Sequence, residues 1–169
     1  MSSLDASQPS AETPDPGDPE LQMPGKLIYE YSPQVTRVVD YGASADALWS
    51  GQVSPPREGA RIDFYLEGPV IGPNLKGTIS GVDYLYFRAD GPAQLHIHAE
   101  ITTEEGQKIA LAAGGIAVPK EGSSVCQLRE NVTLLTNHRE LAWVNALQIW
   151  ATGTVDVATG QVRVKGYAV

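Results

Sequence analysis

The sequence predicts an all-β chain that closes into a single antiparallel β-barrel of meander connectivity, and three observations carry that expectation. From Lys26 onward apolar and polar residues alternate with a period of two, the spacing that puts every second side chain on one face of a strand. Asp90-Gly91, Glu105-Gly106 and Thr159-Gly160 each place a glycine between alternating stretches, where a hairpin turn needs positive φ. Nine or ten strands joined by such short turns would leave two exposed sheet edges, and closure removes both.

In chain order, residues 1–25 read as a disordered acidic tail and 26–169 as the barrel domain. Residues 1–24 hold five of the twelve prolines, five acids and no Lys or Arg, with almost nothing apolar to offset the entropy of ordering. Leu27, Tyr29 and Tyr31 then alternate with Ile28 and Glu30, and Val35 to Asp40 continues in a β-branched style. Ala43 to Trp49, with Ser44 as N-cap, is the one segment that reads as helical, and it spans barely two turns. Ile62, Phe64 and Leu66 alternate with Asp63, Tyr65 and Glu67. Further strands are expected over Leu75–Ser80, Val82–Ala89, Ala93–Thr103, Lys108–Val118, Val125–Leu135, Leu141–Val157 and Gln161–Val169. Glycines 68, 72, 77 and 81 sit where barrel corners require bends or bulges. No internal repeat is present.

Composition narrows the function. The 169 residues allow one domain plus a tail. Twelve Lys and Arg against twenty Asp and Glu give a formal charge of −8, five of it in the tail, which is the wrong sign for a nucleic-acid partner. A single cysteine, Cys126, excludes an internal disulfide and a thiolate-rich zinc or iron–sulfur site. No run of about 18 apolar residues and no basic segment followed by an apolar one is present, so no membrane partner is expected and the expected setting is cytoplasmic.

Gly59 to Gly91, GARIDFYLEGPVIGPNLKGTISGVDYLYFRADG, is a glycine-punctuated stretch ending in an aspartate-aromatic pair and an Arg-x-Asp-Gly turn. With the Thr103-Glu104-Glu105-Gly106 turn, Arg129, the Trp143-Val144-Asn145 triplet and a last strand near Tyr167, it resembles the domain of unknown function 3237 family, also called uncharacterised protein family 0311. The likeness covers most of Lys26 to Val169. Tyr84 stands where the family pattern has Trp, Glu105 where it has Asp, and His98 where it has a basic or polar residue. The resemblance implies a calycin-like β-barrel, often a homo-oligomer, and supplies no settled activity.

Three groups of residues could carry chemistry. His96, His98 and Glu100, spaced by two, share one strand face about 7 Å apart at successive steps. Such a set could bind a divalent metal as in cupins, or move a proton; the alternate set Leu95, Ile97, Ala99 and Ile101 reads as core, which turns the histidines outward. In the second group Arg88 shares a face with Tyr84 and Tyr86, whereas Asp83 lies with Leu85 and Phe87. If Tyr84 and Tyr86 line the interior, Arg88 becomes an anchor for an anionic or carbonyl oxygen; otherwise it pairs with Asp90 at the rim. Third, Trp143 and Asn145 share a face of an expected strand, an aromatic plate beside an amide that suits a ring-bearing ligand as well as it suits a core. Tyr29, Tyr31, Arg129 and Glu130 could also reach a pocket, depending on register. No Gly-x-Ser-x-Gly elbow, P-loop, dinucleotide fingerprint or His-Glu-x-x-His is present.

The expectation that unites these is a cofactor-free lyase, hydratase, isomerase or cyclase acting on a small aromatic or carbonyl-bearing substrate by acid/base catalysis, with no metal. Asp83 or His98 would move the proton, Arg88 would hold an oxygen, and Tyr29, Tyr84, Tyr86, Trp143 and Asn145 would bind the substrate. The alternatives are a non-catalytic carrier and a cupin-like metal-dependent enzyme.

Overall fold

In the computed structural model, residues 25–169 are described; of the tail expected over 1–25, residues 1–24 lie outside them. Nine strands follow one another: β1 (Lys26–Tyr31), β2 (Gln34–Asp40), β3 (Ala60–Pro73), β4 (Gly77–Phe87), β5 (Ala93–Thr103), β6 (Lys108–Pro119), β7 (Val125–Leu135), β8 (Ile149–Asp156) and β9 (Gln161–Ala168). They close into an antiparallel barrel of eight staves, because β1 and β2 share one position between β3 and β9. From β3 to β9 each strand pairs with the next, the meander the hairpin turns imply.

The shared stave bends at Ser32-Pro33. Ser32 N–H donates to the Pro69 carbonyl at 3.1 Å, and the Pro33 carbonyl accepts from Val162 N–H at 3.0 Å. Register shifts fall at Leu27/Tyr29, Glu30/Tyr31 and Val35/Arg37, all on this stave, where bulges add the twist that closure needs. Gly68 lets the bend pack: a Cβ there would lie 2.4 Å from Pro33 Cα.

Two sequence expectations are corrected. Leu75–Ser80 and Val82–Ala89 are not two strands; β4 runs unbroken from Gly77, and Leu75 sits buried in the turn before it. Leu141–Val157 is not one strand either, since Arg139–Ala146 forms a 3-10 helix and β8 begins only at Ile149. Asn145 explains the departure. Its side-chain oxygen accepts from Thr136 N–H at 2.8 Å and its Nδ2 donates to the Thr136 carbonyl at 2.9 Å. The amide thus stands in for a ladder partner and folds the segment back, with Val144 buried beneath it. The short helix α1 (Ala45–Trp49) forms where expected, capped by Ser44, whose side chain accepts from Ala47 N–H.

The two ends of the barrel differ. At the end carrying the β3–β4 and β5–β6 turns and the 3-10 helix, Tyr29, Leu75, Ile101, Ile109, Val144 and Ile149 are fully buried and fill the bore. At the other end α1 leans over the opening, with Trp49 edge-on to Phe87 at 4.7 Å, and a cavity of about 280 Å³ remains beneath it.

Candidate functional site

Alternation decides what faces this cavity. On β4 the inward set is Ile79, Gly81, Asp83, Leu85 and Phe87; on β7 it is Cys126, Leu128, Glu130, Val132 and Leu134. Each set carries one acid among small or apolar residues, and both acids line the cavity. Asp83 is 7% exposed and Glu130 3%.

Asp83 is held by the neighbouring strand. The β4–β5 rungs run to Asp83 opposite Ile97 and resume only at Tyr86 opposite Gln94. In that gap His96 N–H donates to Asp83 Oδ1 at 2.9 Å, so the carboxyl replaces a backbone acceptor in the wall. Burial nevertheless dominates, and with a smaller contribution from the charge of Asp63 it pushes Asp83 up to about 7.

Glu130 is held by a phenol. Tyr31 O–H donates to Glu130 Oε2 at 2.9 Å, which lowers the acid's pKa, but burial outweighs that bond and the charge of Asp83 adds to it, so Glu130 is also pushed up to about 7. Tyr31 is raised well above its ordinary value, by burial first and by Glu130 next. Tyr29 stacks behind Tyr31, ring centroids 5.5 Å apart, its hydroxyl buried without a hydrogen-bond partner. Gly166 makes room for that ring, since a Cβ there would come within 2.5 Å of it. Each acid therefore has one oxygen anchored by a neutral donor. Neither second oxygen has a bond to the described residues.

Two acids that hold protons near neutral pH inside an apolar space form a donor and an acceptor, the minimum for general acid/base chemistry. Trp49 and Phe64 add aromatic wall near the mouth. Asp40, also at the mouth, accepts from Ala45 N–H at 3.3 Å and so fixes α1 over the opening.

Of the residues singled out in the sequence, Asp83 lies in the cavity and Tyr29 is packed behind it. Tyr31 and Glu130, whose direction register had left open, also line it, and the rest lie elsewhere. His98 is on the outer wall, its Nε2 3.1 Å from that of His96, with Tyr84 edge-on to both rings. Glu100 turns from them to Lys108, and among the described residues no three His, Cys, Asp or Glu side chains converge as metal ligands would. Tyr84 is also outside, under the Arg61 guanidinium at 4.7 Å, and Tyr86 donates to the Glu58 carbonyl at the rim. Arg88 is exposed and paired with Asp90, its Nε 2.8 Å from Oδ1, the rim arrangement rather than the interior anchor. Trp143 is exposed on the 3-10 helix, and Asn145 is committed to Thr136. Cys126 is buried, and burial pushes its thiol up to about 11.

Glu130 and Tyr31 are the polar cavity residues that spacing alone left unassigned. The signal was present: an acid at the inward parity of an otherwise apolar strand. Applied to β4 and β7, that one rule selects Asp83 and Glu130 together.

Comparison with known proteins agrees with the barrel. A protein of unknown function from Clostridium acetobutylicum ATCC 824 superposes with a TM-score of 0.70 at 20% identity, over 87% of this chain and 99% of that one. A β-barrel-like protein from Acinetobacter baumannii AYE gives 0.63 at 18% identity, over 85% and 94%. An enzyme from Penicillium herquei gives 0.54 at 19% identity, over 86% and 96%. No curated protein matches the chain. No helix among the described residues is long and apolar enough to cross a membrane. The model of one family, described as a protein of unknown function (DUF3237), matches residues 49–169, and with well over half its length so matched the chain belongs to that family.

Proposed function

We propose that the barrel is a cofactor-independent acid/base enzyme, a lyase, hydratase, isomerase or cyclase, that moves a proton on a small aromatic or carbonyl-bearing metabolite. The observation that carries this reading is the pair of buried carboxyls, Asp83 and Glu130, each pushed up to about 7 in one apolar cavity. A group poised near the working pH both gives and takes a proton readily, and rigid strands hold the two in place. Tyr31 is then a positioning residue: it occupies Oε2 of Glu130 and leaves the other oxygen for substrate. The Penicillium herquei enzyme supports the reading, as a barrel of this shape that carries catalysis.

The test is conversion of metabolites extracted from the cell that makes the protein, followed by mass spectrometry. Wild type should deplete at least one compound in favour of an isomer or a product differing by water. Asp83→Asn and Glu130→Gln should each slow that conversion at least 100-fold while still binding the compound. An extract left unchanged by wild type, with one compound retained on the protein, would instead establish a carrier.

A further inference from the structure

We propose that this cavity takes an uncharged ligand of one or two rings bearing a hydroxyl or carbonyl group, and that it rejects carboxylates and phosphates. The inference rests on the cavity being the substrate site and adds to it the ligand's charge.

Every ionisable carboxyl or base lining the cavity has the same sign. Asp83 and Glu130 lie inside, Asp40 and Asp46 at the mouth, and among the described residues no Lys, Arg or His lines it. The chain does not lack cations; strand parity sends them to the other side of the wall. Arg37 lies over the Tyr65 ring at 3.7 Å, Arg61 bonds Asp63, Arg88 bonds Asp90, and Lys108 meets Glu100. Arg129, next to Glu130 in sequence, is exposed on the outer face. An anion entering the bore would therefore meet two acids and, among the described residues, no counter-charge.

A cation is disfavoured for a different reason. Asp83 and Glu130 are anchored by a backbone N–H and a phenol, not by charges, and below the mouth the rest of the wall is mostly aliphatic and aromatic side chains, which strip an ammonium of its hydration. Both carboxyls line the one cavity, where a neutral polar group can meet a donor and an acceptor. Because both acids are pushed up to about 7, the pair retains a proton to donate at neutral pH. The volume sets the size: 280 Å³ equals about nine waters at ~30 Å³ each, room for a compact ring system and little more.

Isothermal titration calorimetry at pH 7 with three probes sharing one skeleton tests this: 2-naphthol, 2-naphthoate and 2-naphthylmethylammonium. Naphthol should bind at least tenfold tighter than either ion. Glu130→Gln, and more so the Asp83→Asn/Glu130→Gln pair, should raise naphthoate affinity at least tenfold, with circular dichroism confirming the fold; if the double variant does not fold, the single one carries the expectation. Equal or tighter binding of an ion, or no binding of any probe, overturns the inference. Naphthol selectivity in a protein that converts no metabolite would uphold charge selection and end the enzyme reading, so the two fail separately.

Discussion

The filled end and the hollow end of this barrel are built from the same strands, yet they use their inward positions for opposite purposes. On β5, Ile101 is fully buried in the filled end, while Ile97, four residues earlier at the same parity, lines the cavity and is 8% exposed. On β7, Val132 packs solidly whereas Glu130, one inward position away, is an acid. The filled end supplies the stability that lets the hollow end tolerate empty space and two buried acids held by neutral donors alone, both of which oppose folding.

The largest effect that would sharpen this contrast is on pH dependence. A carboxyl whose folded pKa lies above its unfolded one does not weaken the fold at low pH, where both states hold the proton. As pH rises from about 4 the unfolded chain releases the proton first, so stability falls until the folded group titrates near 7 and is level beyond. On the order of 3 kcal/mol per acid is lost over that range. Asp63 acts in the other sense: the bond from Arg61 lowers its pKa against opposing burial, so its contribution is present above pH 4 and lost in more acid solution. Urea melts should therefore show a maximum near pH 4–5. Asp83→Asn and Glu130→Gln should each flatten the decline toward pH 8. A wild-type profile that climbs from pH 5 to 8 would contradict the burial of these groups.

Next comes the isoleucine pair. Ile101→Ala should cost about 3–5 kcal/mol, as truncation in a close-packed core does, and Ile97→Ala about 1–2, because its cavity side has few contacts to lose. Equal costs from denaturant melts would mean that the two ends are packed alike.

Enlarging a side chain reverses the contrast on a smaller scale. Ala117 lines the cavity and Ala151 is buried without lining it. Ala117→Leu should shift stability by less than about 1 kcal/mol and block naphthol binding, whereas Ala151→Leu should cost about 1–3 kcal/mol through overpacking. Smallest of all, His98→Ala on the outer wall should stay within about 0.5 kcal/mol of wild type and leave turnover unchanged. A large loss of turnover there would move the chemistry outside the barrel.

Much of the fold was legible because alternation is a local property. β5 and β7 have the bounds that their apolar spacing predicts, and the Ser44 cap marks α1. The same parity argument placed Asp83 with Leu85 and Phe87 and turned His96 and His98 outward. It misled over Leu141–Val157, where a mostly apolar stretch leading into a hairpin gave no sign that Asn145 would bond back to Thr136. Arg88 offered two arrangements of similar plausibility, and only the position of the rim selects Asp90 as its partner.

The sequence by itself determined which side chains share a strand face, since a strand's two faces follow from residue parity alone, but it left open whether Arg88 or Glu130 turns inward and so which charges, the acids Asp83 and Glu130 among them, face the bore. Only the closed barrel decided that those acids share a cavity. Asp83 and Glu130 lie on strands separated by β5 and β6, and it is the curvature of the whole sheet that brings β4 and β7 around one space. Whether that space is filled or open depends on the summed volumes of side chains from every stave, a quantity no single stretch of sequence contains.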